Sequence, residues 1–438
     1  MGIPSIHRGS FWVLLLVLPF TGLSEQGQNP AGPRTYTLNR ISATGLKHFS
    51  TEQIALASGL RKGQQVDMAA VDAAADRLFQ SGAIAKIGYS YKTAGSSLDV
   101  EFQITEASQF LPCSYDNFVW FKDAELTAAA RREIPLFDGS LPLGGEMVNQ
   151  VPAAIEHFLA ERKITAKVIA TLSSESLGGK ATGYTLRVLD IAIPVKEVQV
   201  TGGPLGYDLL EVAEEPLLKQ NYSLVIAKGA AEFGLPEVYQ NEGYLQVKFS
   251  DPQVTMIDPQ GVDATQGVIE KFTVNPGLLY NWDGVSWSGN QSIRDSDLVK
   301  LLELKPGDTA RRDKFQWSLV HIRDGYGRIG YLAVRVSPTP EFDVPRHLVH
   351  YQMKIDEGPQ YFMGHFTLTG VSEPLASKIR QAWKLRAGQV FDASYETGGW
   401  TKDFLDATGG GSSRPRPFSI THSVNQQTHV VDVEMQIR

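Results

Sequence analysis

Two glycine-marked signals recur in this sequence in step with each other, and a chain that repeats a local signal at a fixed period is built from copies of one supersecondary unit. The first is the connector Leu304-Lys305-Pro306-Gly307-Asp308, matched by Leu60-Arg61-Lys62-Gly63-Gln64 and by Leu385-Arg386-Ala387-Gly388-Gln389. The second is a glycine closing an apolar, strand-like run, at Gly45, Gly289 and Gly370. Both shift by 244 positions from their first to their second occurrence and by 81 from the second to the third. Because 244 is three periods of 81 plus one residue, two more units fit between, which makes five.

The fourth unit is the clearest. A strand over 285–288 stops at the turn pair Gly289-Asn290, a short helix covers 292–302, and the connector follows. Phe315, Leu319, Ile322 and Tyr326 then step by four, three and four, the spacing of one buried helix face. Gly330-Tyr331 opens a strand over 332–336, a second strand runs over 348–355, and Asp356-Glu357-Gly358 ends the unit before the next strand at 361–368. The order is strand, helix, helix, strand, strand.

The first unit repeats it. A strand covers 35–43, Ser50 and Gln53 form a capping box, and Asp67 caps a helix with Met68, Val71, Leu78 and Phe79 on one face. Gly82 ends that helix where a left-handed residue is needed. A hairpin of 83–92 and 98–105 turns at Ala94-Gly95-Ser96, and Glu106 stands where Glu357 stands in the fourth unit. The second unit has a strand over 117–121, helices over 123–134 and 146–163, and strands over 165–173 and 183–189, but lacks the strand-closing glycine. The third keeps a strand over 195–201 with Gly202, helices on both sides of Asn221, and Gly243-Tyr244 opening its hairpin. The fifth ends on a strand over 430–437, with its hairpin connection placed at Gly409-Gly410-Gly411-Ser412.

Residues 1–24 stand apart from this pattern. Arg8, the apolar run 11–20 and Gly22-Leu23-Ser24 read as a secretory signal, too short to span a bilayer. With 42% hydrophobic and 20% charged residues and a net charge of −7, the full sequence has the composition of an ordinary folded chain. The acidic balance, with no Lys/Arg cluster, argues against nucleic acid and against direct binding to an anionic membrane. Cys113 is the only cysteine, so neither an internal disulfide nor a thiolate metal site can form.

Enzyme signals fail on context. Residues 325–330 satisfy G-x-G-x-x-G, yet that motif must follow a strand and open a helix, whereas here it ends a helix and opens a strand. His347 and His350 lie three apart on a strand and point to opposite faces, so with His321 and Glu357 they make no metal site. Asp356 and Glu357 are adjacent and diverge, which suits a unit boundary better than an acid–base pair. Cys113, beside Pro112, has no base nearby. Asn221-Tyr222-Ser223 and Asn290-Gln291-Ser292 are glycosylation sequons, relevant only in a eukaryotic source. No catalytic residue, cofactor, metal or small-molecule substrate is expected.

With units of about 80 residues in this order, Gly-Tyr opening the hairpin and Asp-Glu-Gly-x-x-Tyr joining units, residues 35–438 resemble the polypeptide-transport-associated (POTRA) repeats of BamA-type outer-membrane assembly factors. The resemblance is strongest over 280–370 and weakest over 110–190. It implies an α+β fold, a tandem array of five POTRA-like units at 35–107, 110–190, 193–277, 278–358 and 359–438, each a small three-stranded mixed sheet packed on two helices. In that family the repeats form a periplasmic arm before a membrane barrel. A barrel takes at least eight strands of about ten residues, none of which follow here, so barrel-borne insertion is not expected.

Too few strands exist in one unit to close a sheet, so an edge stays open to an added strand. The resemblance places that edge at the first hairpin strand: 84–91, 168–172, 245–249 and 332–336. The candidate client-binding residues are Ile84, Ile87 and Tyr89, then Leu245, Val247 and Phe249, then Leu332, Val334 and Val336, with Lys86, Lys248 and Arg335 as charges that could instead blunt the edges. The expected protein is a non-enzymatic periplasmic scaffold, associated with the outer membrane only indirectly, that holds extended polypeptide or an outer-membrane barrel or assembly partner by strand addition. A structural bridge without clients and a periplasmic enzyme are the other readings.

Overall fold

The computed structural model describes residues 34–174, 176, 178–258, 263–395, 400–407 and 417–437. The signal segment, and the glycine run expected to carry the last hairpin turn, lie outside them. Among the described residues there are five small mixed sheets, two of three strands as expected and three of four, where a short extra strand such as Gln65–Val66 or Ser140–Pro142 joins or the edge is split in two. The chain divides into two compact units, Met1–Leu111 with Arg131–Val151, and Pro112–Ala130 with Pro152–Arg438.

In the first unit, Tyr36–Thr44 runs parallel to Ser97–Glu106, which pairs on its other side, antiparallel, with Ile84–Ala94. The helices Thr51–Ser58 and Met68–Gln80 begin as their caps dictate. Ser50 and Gln53 form a reciprocal capping box, and Asp67 accepts from Ala70 N at 2.8 Å. Val71, Ala74, Ala75 and Leu78 are the buried face of the longer helix. Phe79, expected beside Leu78, is 52% exposed, because one residue is about 100° of helix rotation.

The connector adds a short rung to the outer side of the first strand. Gly63 N donates to Leu38 O at 2.6 Å and Leu38 N to Gln64 O at 2.9 Å. The same two bonds recur in the second compact unit, as Gly307 N to Trp282 O and Trp282 N to Asp308 O, and as Gly388 N to Met363 O and Met363 N to Gln389 O. Each connector glycine has a positive φ, +85°, +92° and +83°, which lets the turn reverse tightly enough to dock.

The second compact unit carries the other sheets. Val195–Thr201 runs parallel to Val268–Asn275, Asn281–Ser288 to Leu348–Asp356, and Phe362–Thr369 to Val430–Ile437. The last two central strands pair on their other side with Arg335–Asp343 and Phe418–Asn425. Phe315, Leu319, Ile322 and Tyr326 are all buried on the helix Arg312–Gly327, as their spacing predicts. The strand-closing glycines are forced by close approach: a Cβ on Gly289 (φ +85°) would lie 2.1 Å from Ile355 O, and one on Gly370 2.0 Å from Ile437 O.

Several elements differ from expectation. In the second sheet the first strand is Phe110–Tyr115, with Cys113–Tyr115 parallel to Tyr184–Leu186, and 117–121 is not a strand. There Asn117 does the strand's work: its amide donates to Val188 O at 3.0 Å and accepts from Val188 N at 2.7 Å. Val119 and Trp120, which suggested a strand, pack on the core around Val195 and Phe272. Gly243-Tyr244 and Gly330-Tyr331 do not open strands directly. The tyrosine N–H groups turn back to Tyr239 O and Tyr326 O, both at 3.0 Å, and the glycine carbonyls accept from Tyr280 N and Tyr361 N, the first residues of the next segments. Strands start four residues after each tyrosine, at Lys248 and Arg335. The last hairpin turns at 426–429, so 409–412 lies before the hairpin.

Candidate polypeptide-binding edges

In every sheet the first hairpin strand lies at one end of the strand order or beside only the central strand. Whether such an edge can take another strand depends on which backbone groups face outward. Residues of an antiparallel strand alternate, with N–H and C=O both turned to the partner or both away.

Ile84–Ala94 is the longest edge, 11 residues. Ala94 pairs with Ser97 across the two-residue turn Gly95-Ser96, so these two are a hydrogen-bonded pair. Counting back, the N–H and C=O of Thr93, Tyr91, Tyr89 and Ile87 face the open side. The run contains no proline, and its one irregularity, between Ile84 and Lys86, is near its start. Tyr91 is 52% exposed. Tyr89 is pinned against the adjacent helix by a 2.5 Å bond from its hydroxyl to Asp72 Oδ1, and that bond, then burial, push the phenol up to about 12.

The other edges are altered. On Lys167–Ser174, Val168 N is already capped by Glu156 Oε1 at 2.8 Å. In the third sheet Asp251-Pro252 splits the edge into Lys248–Phe249 and Gln253–Met256. Arg335–Asp343 carries Pro338 and Pro340. Two residues apart, both nitrogens face the same side, and within a ladder proline is tolerated only on the unpaired side. That edge therefore offers carbonyls but no donors at two successive outward positions. Phe418–Asn425 has neither proline nor lysine, and its last five residues are exposed.

The nine sequence-derived residues divide accordingly. Ile84, Ile87 and Tyr89 lie on the continuous first edge; Ile84 is buried and the other two are half-buried. Phe249 is in the two-residue strand, its ring 5.7 Å from Tyr239, and Val336 is buried opposite Ile355. Val247 is buried with Leu210, Tyr239 and Val274. Leu245 and Val334 pack on the core around Trp282, and Leu332 on the core around Trp383, all three outside strands. Of the proposed blunting charges, Lys86, Lys248 and Arg335 are all exposed. Sequence reading missed the edge at Phe418–Asn425, although the alternation Phe418, Ile420, His422, Val424 marks it.

Carboxylates brace the sheets at their far ends. Glu357 accepts from Gln291 N (2.7 Å), from Ser292 N and Ser292 Oγ (2.8 Å each) and from Tyr326 Oη (3.0 Å). Burial alone would raise its pKa, but these bonds hold it below the usual carboxylate range. Glu106 likewise accepts from the N–H groups of Lys47, His48 and Phe49. Glu357 is thus a loop anchor rather than a partner of Asp356.

A cavity of about 270 Å³ is lined by Trp282, Phe315, Phe342 and Tyr351 with Arg311 and Arg312. Arg311 is held by Asp313 and Glu242, and Arg312 by Glu237, so its ionisable groups are already paired. Among the described residues, no group of three or more His, Cys, Asp or Glu could hold a metal ion, and no helix is long and apolar enough to cross a membrane.

This geometry defines a repeat protein of small mixed α+β sheets with open edges. Residues 280–358 match the family model POTRA, described as a surface antigen variable number repeat. The outer membrane protein assembly factor BamA of Neisseria meningitidis serogroup B is 25% identical over 159 residues, 36% of this chain and 19% of that protein. A putative outer membrane protein assembly factor of Treponema pallidum is 20% identical over 262 residues, 57% of this chain and 31% of the relative. The chain therefore spans about a fifth to a third of the length of these curated relatives. The crystal structure of Haemophilus influenzae BamA POTRA3-5 covers 56% of this chain, and the chain 96% of it, at 18% identity and a TM-score of 0.39. Residues 280–358 thus match a POTRA repeat, and the chain resembles BamA-type outer-membrane assembly factors.

Proposed function

We propose that this chain is a periplasmic, non-enzymatic scaffold of outer-membrane protein assembly, composed of five POTRA-like repeats at 35–107, 110–190, 193–277, 278–358 and 359–438. It holds extended polypeptide, or an assembly partner, by adding a strand to an open edge. The observation that carries this reading is the edge Ile84–Ala94, with four residues turned outward and no proline among them. Main-chain pairing of this kind depends little on client sequence, which suits a chain handling many clients. The names of the curated relatives support the assembly role.

Tyr91→Pro and Thr93→Pro remove outward donors without removing a ladder bond. Both variants should lose capture of unfolded outer-membrane barrel polypeptide while keeping native circular dichroism, and capture at wild-type level would overturn the reading. The capped or proline-bearing edges favour a second role for the middle repeats, spacing and bridging rather than client holding.

A further inference from the structure

Folded interiors hold few voids larger than a water molecule, yet the cavity beside Trp282 measures about 270 Å³. Its floor is aromatic. The rings of Phe315 and Tyr351 lie 4.2 Å apart, Trp282 stacks on Tyr351 at 5.3 Å, and Phe342 adds a fourth ring. The buried Ala310 and Leu304 complete the wall, and the exposed Gln316 and Pro340 mark the mouth.

The walls are held from several sides, so the space stays open rather than collapsing. Ala310 N donates to Tyr280 O at 3.0 Å, Asp313 N donates to Asn241 Oδ1 at 3.0 Å, and Arg312 pairs with Glu237 at 3.2 Å. A pocket formed in advance loses little free energy to ordering when it is filled.

Size, charge and free hydrogen-bonding groups together select the occupant. An apolar cavity of about 150 Å³ takes benzene, so this one has room for a two-ring group. Arg311 is paired with Asp313 and Glu242 and Arg312 with Glu237, which leaves no free charge on the lining to hold an ionised ligand. What remains free is neutral: the amides of Gln240 and Gln316 and the hydroxyl of Tyr351 make no hydrogen bond among the described residues. Each amide offers both an acceptor and donors, the complement of the N–H and C=O of a peptide bond. Pro340 at the mouth denies a passing chain a main-chain donor on that edge, so a polypeptide held here has to be anchored by a side chain.

We propose that this pocket seats a tryptophan-sized aromatic side chain of a partner polypeptide, with the adjoining backbone bonded to Gln240 and Gln316. It does not use the open edge of Ile84–Ala94, so its failure would leave the strand-addition reading intact.

The test uses the full chain and a capped peptide with glycines on both sides of a central fluorotryptophan, titrated by fluorine NMR. Free fluoroindole and the leucine-centred peptide, the latter added as a competitor, are the controls. The tryptophan peptide should bind about fivefold more tightly than either control. Gln316→Ala should weaken the peptide about fivefold and leave fluoroindole unchanged. Ala310→Leu should fill the space and weaken both at least about tenfold, and Tyr91→Pro should change neither. If circular dichroism shows that Ala310→Leu does not fold, Gln316→Ala, at an exposed position, decides alone. Fluoroindole bound as tightly as the peptide would assign the pocket to a free small aromatic, and equal competition by the leucine peptide would make it an unselective apolar gap. Either result overturns the proposal, as does indifference of the peptide to Gln316→Ala or to a folded Ala310→Leu.

Discussion

Glu270 sits in the middle of a central strand, on the same face as Val268 and Phe272, and is 2% exposed. Its strand neighbours in register are Val254 and Val198, and its Oε2 has no hydrogen-bond partner among the described residues. Burial pushes its carboxyl from the ordinary 4.5 up to about 7. The groups facing it relieve nothing: Tyr222 is itself raised by burial and by Glu270, Asp116 and Asp123. The folded state therefore holds this proton more tightly than the unfolded chain. Glu270's contribution is fully favourable below pH 4.5, declines as pH rises, and levels off above about 7. At roughly 1.4 kcal/mol per pH unit, the decline is about 3 kcal/mol. Glu270→Gln keeps the shape without the charge. It should match wild type near pH 4.5 and exceed it by about 3 kcal/mol near pH 8. In a chain of many sheets the readout must be local, so hydrogen exchange of the strand Val268–Asn275 is the assay. Its amides should be about a hundredfold better protected in the variant at pH 8 and equally protected at the acid end. A difference that does not change with pH, or a variant less protected at pH 8, would refute the reasoning.

Gly289 and Gly63 share a φ of +85°, but a Cβ on Gly289 meets Ile355 O at 2.1 Å while one on Gly63 meets nothing within 4 Å. Gly63→Ala should cost about 1–2 kcal/mol from backbone strain alone and Gly289→Ala roughly 3 kcal/mol or more, read by chemical denaturation with local exchange. Glu357→Gln should destabilise the sheet containing Trp282 by about 1–2 kcal/mol, discounted for partial exposure. Because the carboxyl of Glu357 is lowered in the fold, that advantage is complete above the unfolded carboxylate range and disappears as pH falls through the folded value. Wild type and variant should therefore converge in acid, and a constant gap would contradict the loop-anchor role.

The repeat was legible because its glycines are demanded by geometry. Gly289 and Gly370 cannot carry a side chain where they meet Ile355 and Ile437, and the connector must reverse at Gly63, Gly307 and Gly388. Buried helix faces were legible from spacing, apart from Phe79. What the sequence hid is where backbone is replaced or displaced by other groups. Asn117 takes over a strand's bonds through its side-chain amide, so the glycine expected nearby is not needed. Leu245 and Leu332 read as strand residues but are hydrophobic plugs between successive segments. The prolines of Arg335–Asp343 were visible throughout, yet their meaning depended on which side of the strand they face. Only a paired register supplies that.

Hydrogen exchange of the first sheet's edge, with and without an extended barrel-derived client, tests the central claim most directly. Addition of the client should slow exchange at Ile87, Tyr89, Tyr91 and Thr93, the outward parity of Ile84–Ala94, and leave Ser337 to Phe342 unchanged. Client binding without protection at those four amides, or equal protection on the proline-bearing strand, would contradict it.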